Sequence, residues 1–164
     1  TNFGNLTAAY KTVNVSSLAS NTRAVFGSDS DGSSNVMSYV TIASTGNAAD
    51  FGDLLSSVQK IGAGSDTTRG IWTGGIPSNV IKYITIASTG NATDFGDLTA
   101  SSEDNTAVTN STKMAISLAS SASAIVNTID QITIQTTGNA SDFGDLSTAR
   151  QSTGGASSVH GGLS

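Results

Sequence analysis

The chain has 164 residues and a formal net charge of −5, and only 12% of its residues are charged. Its seven Lys and Arg are scattered, so no basic stripe is present that could bind nucleic acid or an anionic membrane surface. No apolar stretch approaches the ~20 residues that span a bilayer, and the absence of cysteine excludes disulfides, thiol catalysis and thiolate metal sites. The chain opens on Thr1 inside a repeated phrase, from which we expect processing or truncation upstream.

One phrase recurs through the sequence. Residues 39–54 return almost letter for letter at 83–98 and at 131–146, and a partial copy opens the chain at 1–6. The Phe-Gly pairs therefore start 48, 44 and 48 residues apart. A second, looser marker starts at Arg23, Arg69, Lys113 and His160, at intervals of 46, 44 and 47 residues. Two markers that keep one period of this length indicate a tandem-repeat architecture.

Each repeat is predicted to hold about four short strands. In the unit that starts at Arg69, the first is 71–73 and the second is 80–86, whose two faces are both largely apolar. A turn follows at 88–91, then a third strand or corner at 95–98, and the Ser- and Thr-rich stretch after it gives a weaker fourth strand. Segment 113–126 is rich in Ala and Ser, but its phase in the repeat predicts strand, turn and strand rather than helix.

The order Arg69, Gly74-Gly75, Tyr83 and Phe95-Gly96-Asp97-Leu98 resembles the kelch repeat. More closely, 84–98 is similar to the kelch-like repeats of structural proteins of tailed phages, cyanophages in particular. The resemblance implies β-propeller blades and a component of a virion or fibre. The chain departs from it at Phe95, where kelch usually has Trp, and in the other units, which lack the double glycine.

These observations predict an all-β fold in which kelch-like repeats of about 44–48 residues form propeller blades, roughly three and a half per chain. The expected single repeat domain consists of a partial unit 1–22, units 23–68, 69–112 and 113–159, and a partial unit 160–164. Since propellers usually close with ~4–8 blades, the ends complete each other within one chain or join a neighbouring subunit. We therefore expect a homo-oligomer.

The paired aspartates that flank each Phe-Gly are the most tempting candidates for acid-base or metal chemistry. They recur at the same phase of every unit, which is more typical of turn scaffolding than of an active site. The predicted repeat scaffold comprises Arg23, Arg69, Lys113, Phe51, Phe95, Phe143, Asp53, Asp97 and Asp145.

Other candidate sites have simpler structural interpretations. Asp29 and Asp31 match the start of a calcium loop, but the closing Glu is missing and Asp-Gly also favours a hairpin turn. His160, the only histidine, is expected to be a polar cap on a strand. Asp66 and the pair 103–104 are interpreted as solvated loop charge, and Trp72 as part of the core between units rather than an exposed sugar-binding platform.

The sequence thus predicts a non-enzymatic protein without a cofactor: a virion or extracellular building block that assembles with its own copies or with other virion proteins. The alternative is a carbohydrate- or receptor-binding adhesion module, whose ligand would meet the variable loops 28–34, 63–68 and 103–112. A polysaccharide-active enzyme would need two placed carboxylates that do not belong to the repeat scaffold.

Overall fold

The computed structural model describes residues 2–7, 16–27, 34–76, 78–121 and 124–157, and the regular structure in these ranges is entirely β. They contain fourteen strands, twelve of which form three four-stranded antiparallel sheets that follow one another along the chain. Within the same ranges, no helix is long and apolar enough to cross a membrane. The predicted all-β class is confirmed.

Each sheet is a meander in which consecutive strands pair. Sheet one contains β1 (Ser16–Ala19), β2 (Arg23–Gly27), β3 (Val36–Thr41) and β4 (Ala49–Asp53). Sheet two contains β5 (Gly62–Ser65), β6 (Arg69–Thr73), β7 (Val80–Thr85) and β8 (Thr93–Asp97). Sheet three contains β9 (Thr106–Thr109), β10 (Lys113–Ser117), β13 (Thr128–Thr133) and β14 (Ser141–Asp145), while β11 (Ser120–Ser121) and β12 (Ala124–Ile125) form a separate two-stranded ladder. Segment 113–126 is thus extended where the structure describes it, as predicted.

The first strand of each sheet was misplaced by the sequence analysis. The Ser- and Thr-rich stretch after Leu98 was expected to end its own unit, but it forms β9 and pairs with β10 of the next sheet. The predicted loops 63–68 and 103–112 likewise contain β5 and β9, whereas 28–33 lie outside the described residues. Strands β1, β5 and β9 lie side by side, and this close approach favours small residues in β5: a Cβ on Gly64 would stand 2.8 Å from Thr109 Cγ2.

Two apolar clusters hold the sheets face to face. The first joins sheet one, through Val25, Met37 and Phe51, to Trp72 and Ile84 of sheet two. The second joins the other face of sheet two to sheet three and includes Ile71, Ile81, Phe95, Met114, Ile116 and Ile132. Sheet two is therefore covered on both faces, as the two-sided apolar pattern of 80–86 predicted.

A β-bulge sits at the same place in all three sheets, where the third strand meets the fourth. The register shifts between Met37 and Ser38, between Ile81 and Lys82, and between Ile129 and Asp130. A bulge bends the strand and redirects its side chains, and in each fourth strand the Phe of the Phe-Gly pair is the residue without a partner in the register. The bulged strands carry the residues that contact the next unit.

Candidate interaction surface

The repeated phrase consists of two halves that bind each other across neighbouring units. The Phe-Gly-Asp half ends one sheet, and the Thr-Gly-Asn turn follows the third strand of the next sheet. At the first junction Gly90 N donates to Phe51 O at 2.7 Å, and Ala92 N donates to Asp53 O at 2.8 Å. The Asp53 N–H donates in return to Asn91 Oδ1 at 3.0 Å. The edge segment 51–53 and the turn 90–92 thus share three hydrogen bonds, and we call such a contact a junction.

The same three bonds occur at two further places. Between sheets two and three they are Gly138 N to Phe95 O at 2.7 Å, Ala140 N to Asp97 O at 2.7 Å and Asp97 N to Asn139 Oδ1 at 3.1 Å. At the start of the chain they are Gly46 N to Phe3 O at 2.7 Å, Ala48 N to Asn5 O at 2.8 Å and Asn5 N to Asn47 Oδ1 at 3.0 Å. Residues 2–7 therefore contact sheet one as the fourth strand of a preceding unit would.

The glycine of Phe-Gly-Asp is required by this close approach. Gly52 has φ +136° and Gly96 has φ +142°, a region that residues with a side chain rarely adopt. A Cβ would lie 2.4 Å from Gly90 O at the first position and 2.4 Å from Gly138 O at the second. Backbone of one unit therefore packs directly on backbone of the next.

The first aspartate of each pair supports the bent edge locally. Asp50 accepts a hydrogen bond from Gly52 N at 3.1 Å, and Asp94 and Asp142 accept equivalent bonds from Gly96 N and Gly144 N at 2.9 Å. The second members Asp53 and Asp97 contribute their backbone N–H and C=O groups to the junctions described above. Among the described residues, no group of three or more His, Cys, Asp or Glu side chains could hold a metal ion.

An arginine spans each of the two junctions between sheets, beside these backbone bonds. The Arg69 guanidinium lies 4.3 Å from the centroid of the Tyr83 ring and donates to Ile134 O of the next unit at 2.9 Å. Tyr83 in turn meets Phe95 edge to face, with ring centroids 6.0 Å apart. The first unit repeats this stack with Arg23, Tyr39, Phe51 and Ile86.

The third unit keeps the edge, but no turn among the described residues covers it. Phe143 has 63% of its surface exposed, whereas Phe51 and Phe95 are 2% and 3% exposed. Lys113 and Gln131 stand where the other units have Arg and Tyr. Beside Phe143 the outer face of sheet three forms a groove of about 490 Å³, whose lining includes Val108, Met114 and Ala115.

Several predicted candidates fall elsewhere. Asp29, Asp31 and His160 lie outside the described residues. Trp72 is 0% exposed, in the cluster between sheets one and two. Glu103 and Asp104 form ion pairs with Lys60, at 3.3 Å and 3.7 Å.

The interpretation of Asp66 as solvated loop charge was wrong. Its side chain is buried and its Oδ1 accepts hydrogen bonds from Thr68 N at 2.8 Å and Arg69 N at 2.7 Å, while Gln135 of the next unit donates to Oδ2. Burial opposes ionisation of this carboxyl, but the hydrogen bonds outweigh it and lower its pKa. Asp66 therefore closes a tight turn and connects two units.

Sequence reasoning missed two groups of polar residues. The asparagine after each turn glycine was interpreted only as a residue tolerant of positive φ, although Asn47, Asn91 and Asn139 all accept a bond across a junction. The recurrence of this asparagine in every copy of the turn could have indicated its role in the junction. The bulge position holds a buried polar residue in each sheet, namely Ser38, Lys82 or Asp130, and these identities differ too much to be recognised as one position.

Comparison with known proteins assigns no family to this chain: no protein-family model matches it, and no curated protein is a significant relative.

Proposed function

We propose that this protein is a non-enzymatic structural protein, a propeller-type building block that assembles with its own copies into part of a tail, fibre or capsid surface. The observation that carries the proposal is the junction, which is filled three times among the described residues, whereas no described turn covers the equivalent edge at Phe143. An edge that repeats the interface conformation without a described partner is suited to binding a further unit.

The virion assignment is supported by the resemblance of 84–98 to kelch-like repeats of phage structural proteins. A propeller blade is a four-stranded antiparallel meander that packs face to face on the next blade, and the three sheets have this form. The described sheets number three, fewer than the ~4–8 blades with which propellers close. We therefore propose that blades from more than one chain form the complete assembly.

The adhesion alternative finds less support in the described residues. Trp72 is fully buried, and Tyr39 and Tyr83 are each covered by an arginine, so none offers an open ring for a sugar. Two of the three loops that were expected to vary around a ligand contain strands β5 and β9.

Imaging of the purified protein by cryo-electron microscopy over a range of concentrations tests the proposal. We expect rings or filaments in which the three-sheet unit recurs. Single particles of one chain at every concentration would contradict it, and glycan-array binding by those particles would then favour the adhesion module.

A further inference from the structure

The open edge of sheet three is preformed. Asp142 accepts from Gly144 N at 2.9 Å, as Asp50 and Asp94 do in the filled edges, and Gly144 has φ +142°. A Cβ on Gly144 would meet no atom within 4 Å, whereas the corresponding Cβ at Gly52 would collide with the next turn. The edge at 143–145 thus has the bound conformation without a bound turn.

The matching turn is present on sheet one. Gly46 N, Ala48 N and Asn47 Oδ1 form the same donor and acceptor set that the other two turns present to their edges. Its occupant is the segment 2–7 of the same chain, whose Phe3 is 41% exposed. This occupant makes the three hydrogen bonds without burying its phenyl ring as Phe51 and Phe95 do.

We propose that the edge 143–145 of one chain binds the turn 46–48 of a second copy, in exchange for that copy's segment 2–7. Phe143 O and Asp145 O would accept from the two turn N–H groups, and the Asp145 N–H would donate to Asn47. Phe143 would become buried, as its two counterparts are. Each added copy presents a new open edge, so the contact is heterologous and continues until a ring closes or a filament grows.

The outer faces of sheet three, which carries edge 143–145, and of sheet one, which carries turn 46–48, are suited to the same contact between two copies. In sheet one Ile42 is exposed, and Phe26 and Val40 are partly exposed. The equivalent residues of sheet two are, in the same order, Ile86, Trp72 and Ile84. The three residues of sheet one would pack on the grooved outer face of sheet three around Ala115 and Ile129. Stacking would continue the arrangement already seen between the sheets of one chain.

A second segment covers the other end of the stack. Residues 153–157 lie beside β9, where Thr106 Oγ1 donates to Thr153 O at 2.6 Å and Thr109 N donates to Ser157 Oγ at 2.9 Å. Within the chain the first strands of successive sheets lie side by side in the same way, β5 beside β1 and β9 beside β5. Full stacking would replace 153–157 by β1 of the second copy. Segments 2–7 and 153–157 thus both occupy positions where a neighbouring unit would bind.

Disulfide trapping tests this contact, because the chain contains no cysteine of its own. Copies with Asp145→Cys are mixed with copies with Asn47→Cys and oxidised, and the heterodimer is identified by peptide mapping. The double variant Asp97→Cys/Asn139→Cys places both cysteines at a filled junction within one chain and calibrates bond formation. A mixture of Asp145→Cys and Asn139→Cys copies is the matched control, because that turn belongs to an internal junction.

We expect the 47–145 heterodimer to exceed the 139–145 control several-fold. Equal yields, or no heterodimer while the intrachain disulfide at 97–139 forms, would overturn the inference. It rests on the proposed function, but the two can fail separately: ordered assemblies without the 47–145 cross-link would refute this junction alone. Absence of any assembly would refute both.

A pair of glycine variants provides a test without oxidation. Gly144→Ala and Gly138→Ala both add a methyl group at a positive φ where no atom lies within 4 Å. Only the first would collide with a docked turn, as the geometry of Gly52 shows. In sedimentation velocity we expect Gly144→Ala to lose concentration-dependent association and Gly138→Ala to retain it. Equal association of both variants would contradict the proposed contact.

Discussion

Lys82 is a charged side chain in the interior of sheet two, and its replacement should stabilise the fold. It is 1% exposed, and its Nζ lies 3.4 Å from both Gly74 O and Val80 O, at the long end of hydrogen-bond distances. Burial lowers the pKa of Lys82 to about 8, and the nearby charge of Asp94 acts in the opposite direction. The cost of keeping this ammonium group charged inside the protein is therefore only partly offset.

The sign of the pH dependence follows from this lowered pKa. The unfolded chain holds the proton up to its ordinary pKa of 10.5, so between about pH 8 and 10.5 it binds more protons than the folded chain. The Lys82 contribution to the free energy of unfolding therefore rises with pH over that window, by about 2 kcal/mol between pH 7 and about pH 9.5. Lys82→Met should stabilise the protein at pH 7 by up to about 3 kcal/mol.

Denaturant unfolding at several pH values measures this effect. The free energy of unfolding of Lys82→Met should exceed that of the unsubstituted chain at pH 7, and the difference should shrink toward pH 9.5. Lys113→Met, in which the substituted side chain is exposed, should show neither effect. A destabilised Lys82→Met, or a difference that does not change with pH, would refute the buried-charge argument.

The filled junctions allow three further predictions, all measurable as free energies of unfolding. Gly96→Ala should lower the free energy of unfolding by well over the ~1–2 kcal/mol of backbone strain alone, because the new Cβ would lie 2.4 Å from Gly138 O. Gly138→Ala should lower it only by the strain, since no atom lies within 4 Å of its Cβ. Equal losses in the two variants would contradict the close approach. Asn91→Ala removes the acceptor of the Asp53 N–H; because this bond is exposed and water can replace it, the loss should be about 0.5–1 kcal/mol, and no loss would mean that the bond contributes nothing. Arg69→Lys loses the planar stack and the bond to the next unit and should cost about 1 kcal/mol, which a neutral result would refute.

The large apolar residues made much of the fold predictable. The period of the Phe-Gly pairs marked the units, and the alternation in 80–86 assigned Ile84 and Ile86 to one face and Ile81 to the other, as the two clusters confirm. Local patterns of this kind depend on burial within a sheet, and the sequence records them directly.

Strands β5 and β9 and the open edge were not predictable in this way. Gly62, Gly64 and their neighbours form a strand because three units crowd together there, which no local propensity records. The four copies of Phe-Gly look alike in sequence, yet only the stacking order shows that Phe143 has no turn against it among the described residues. The difference between a filled and an open interface lies in tertiary arrangement rather than in residue type.

Residue-resolved amide hydrogen exchange at several protein concentrations tests the junction account most directly. The Asp53 and Asp97 amides donate across filled junctions, while the Asp145 amide occupies the equivalent place at the open edge. We predict slow exchange at Asp53 and Asp97 at every concentration, and fast exchange at Asp145 that slows as concentration rises. An Asp145 amide that exchanges at the same rate at all concentrations, while the protein visibly assembles, would contradict the account.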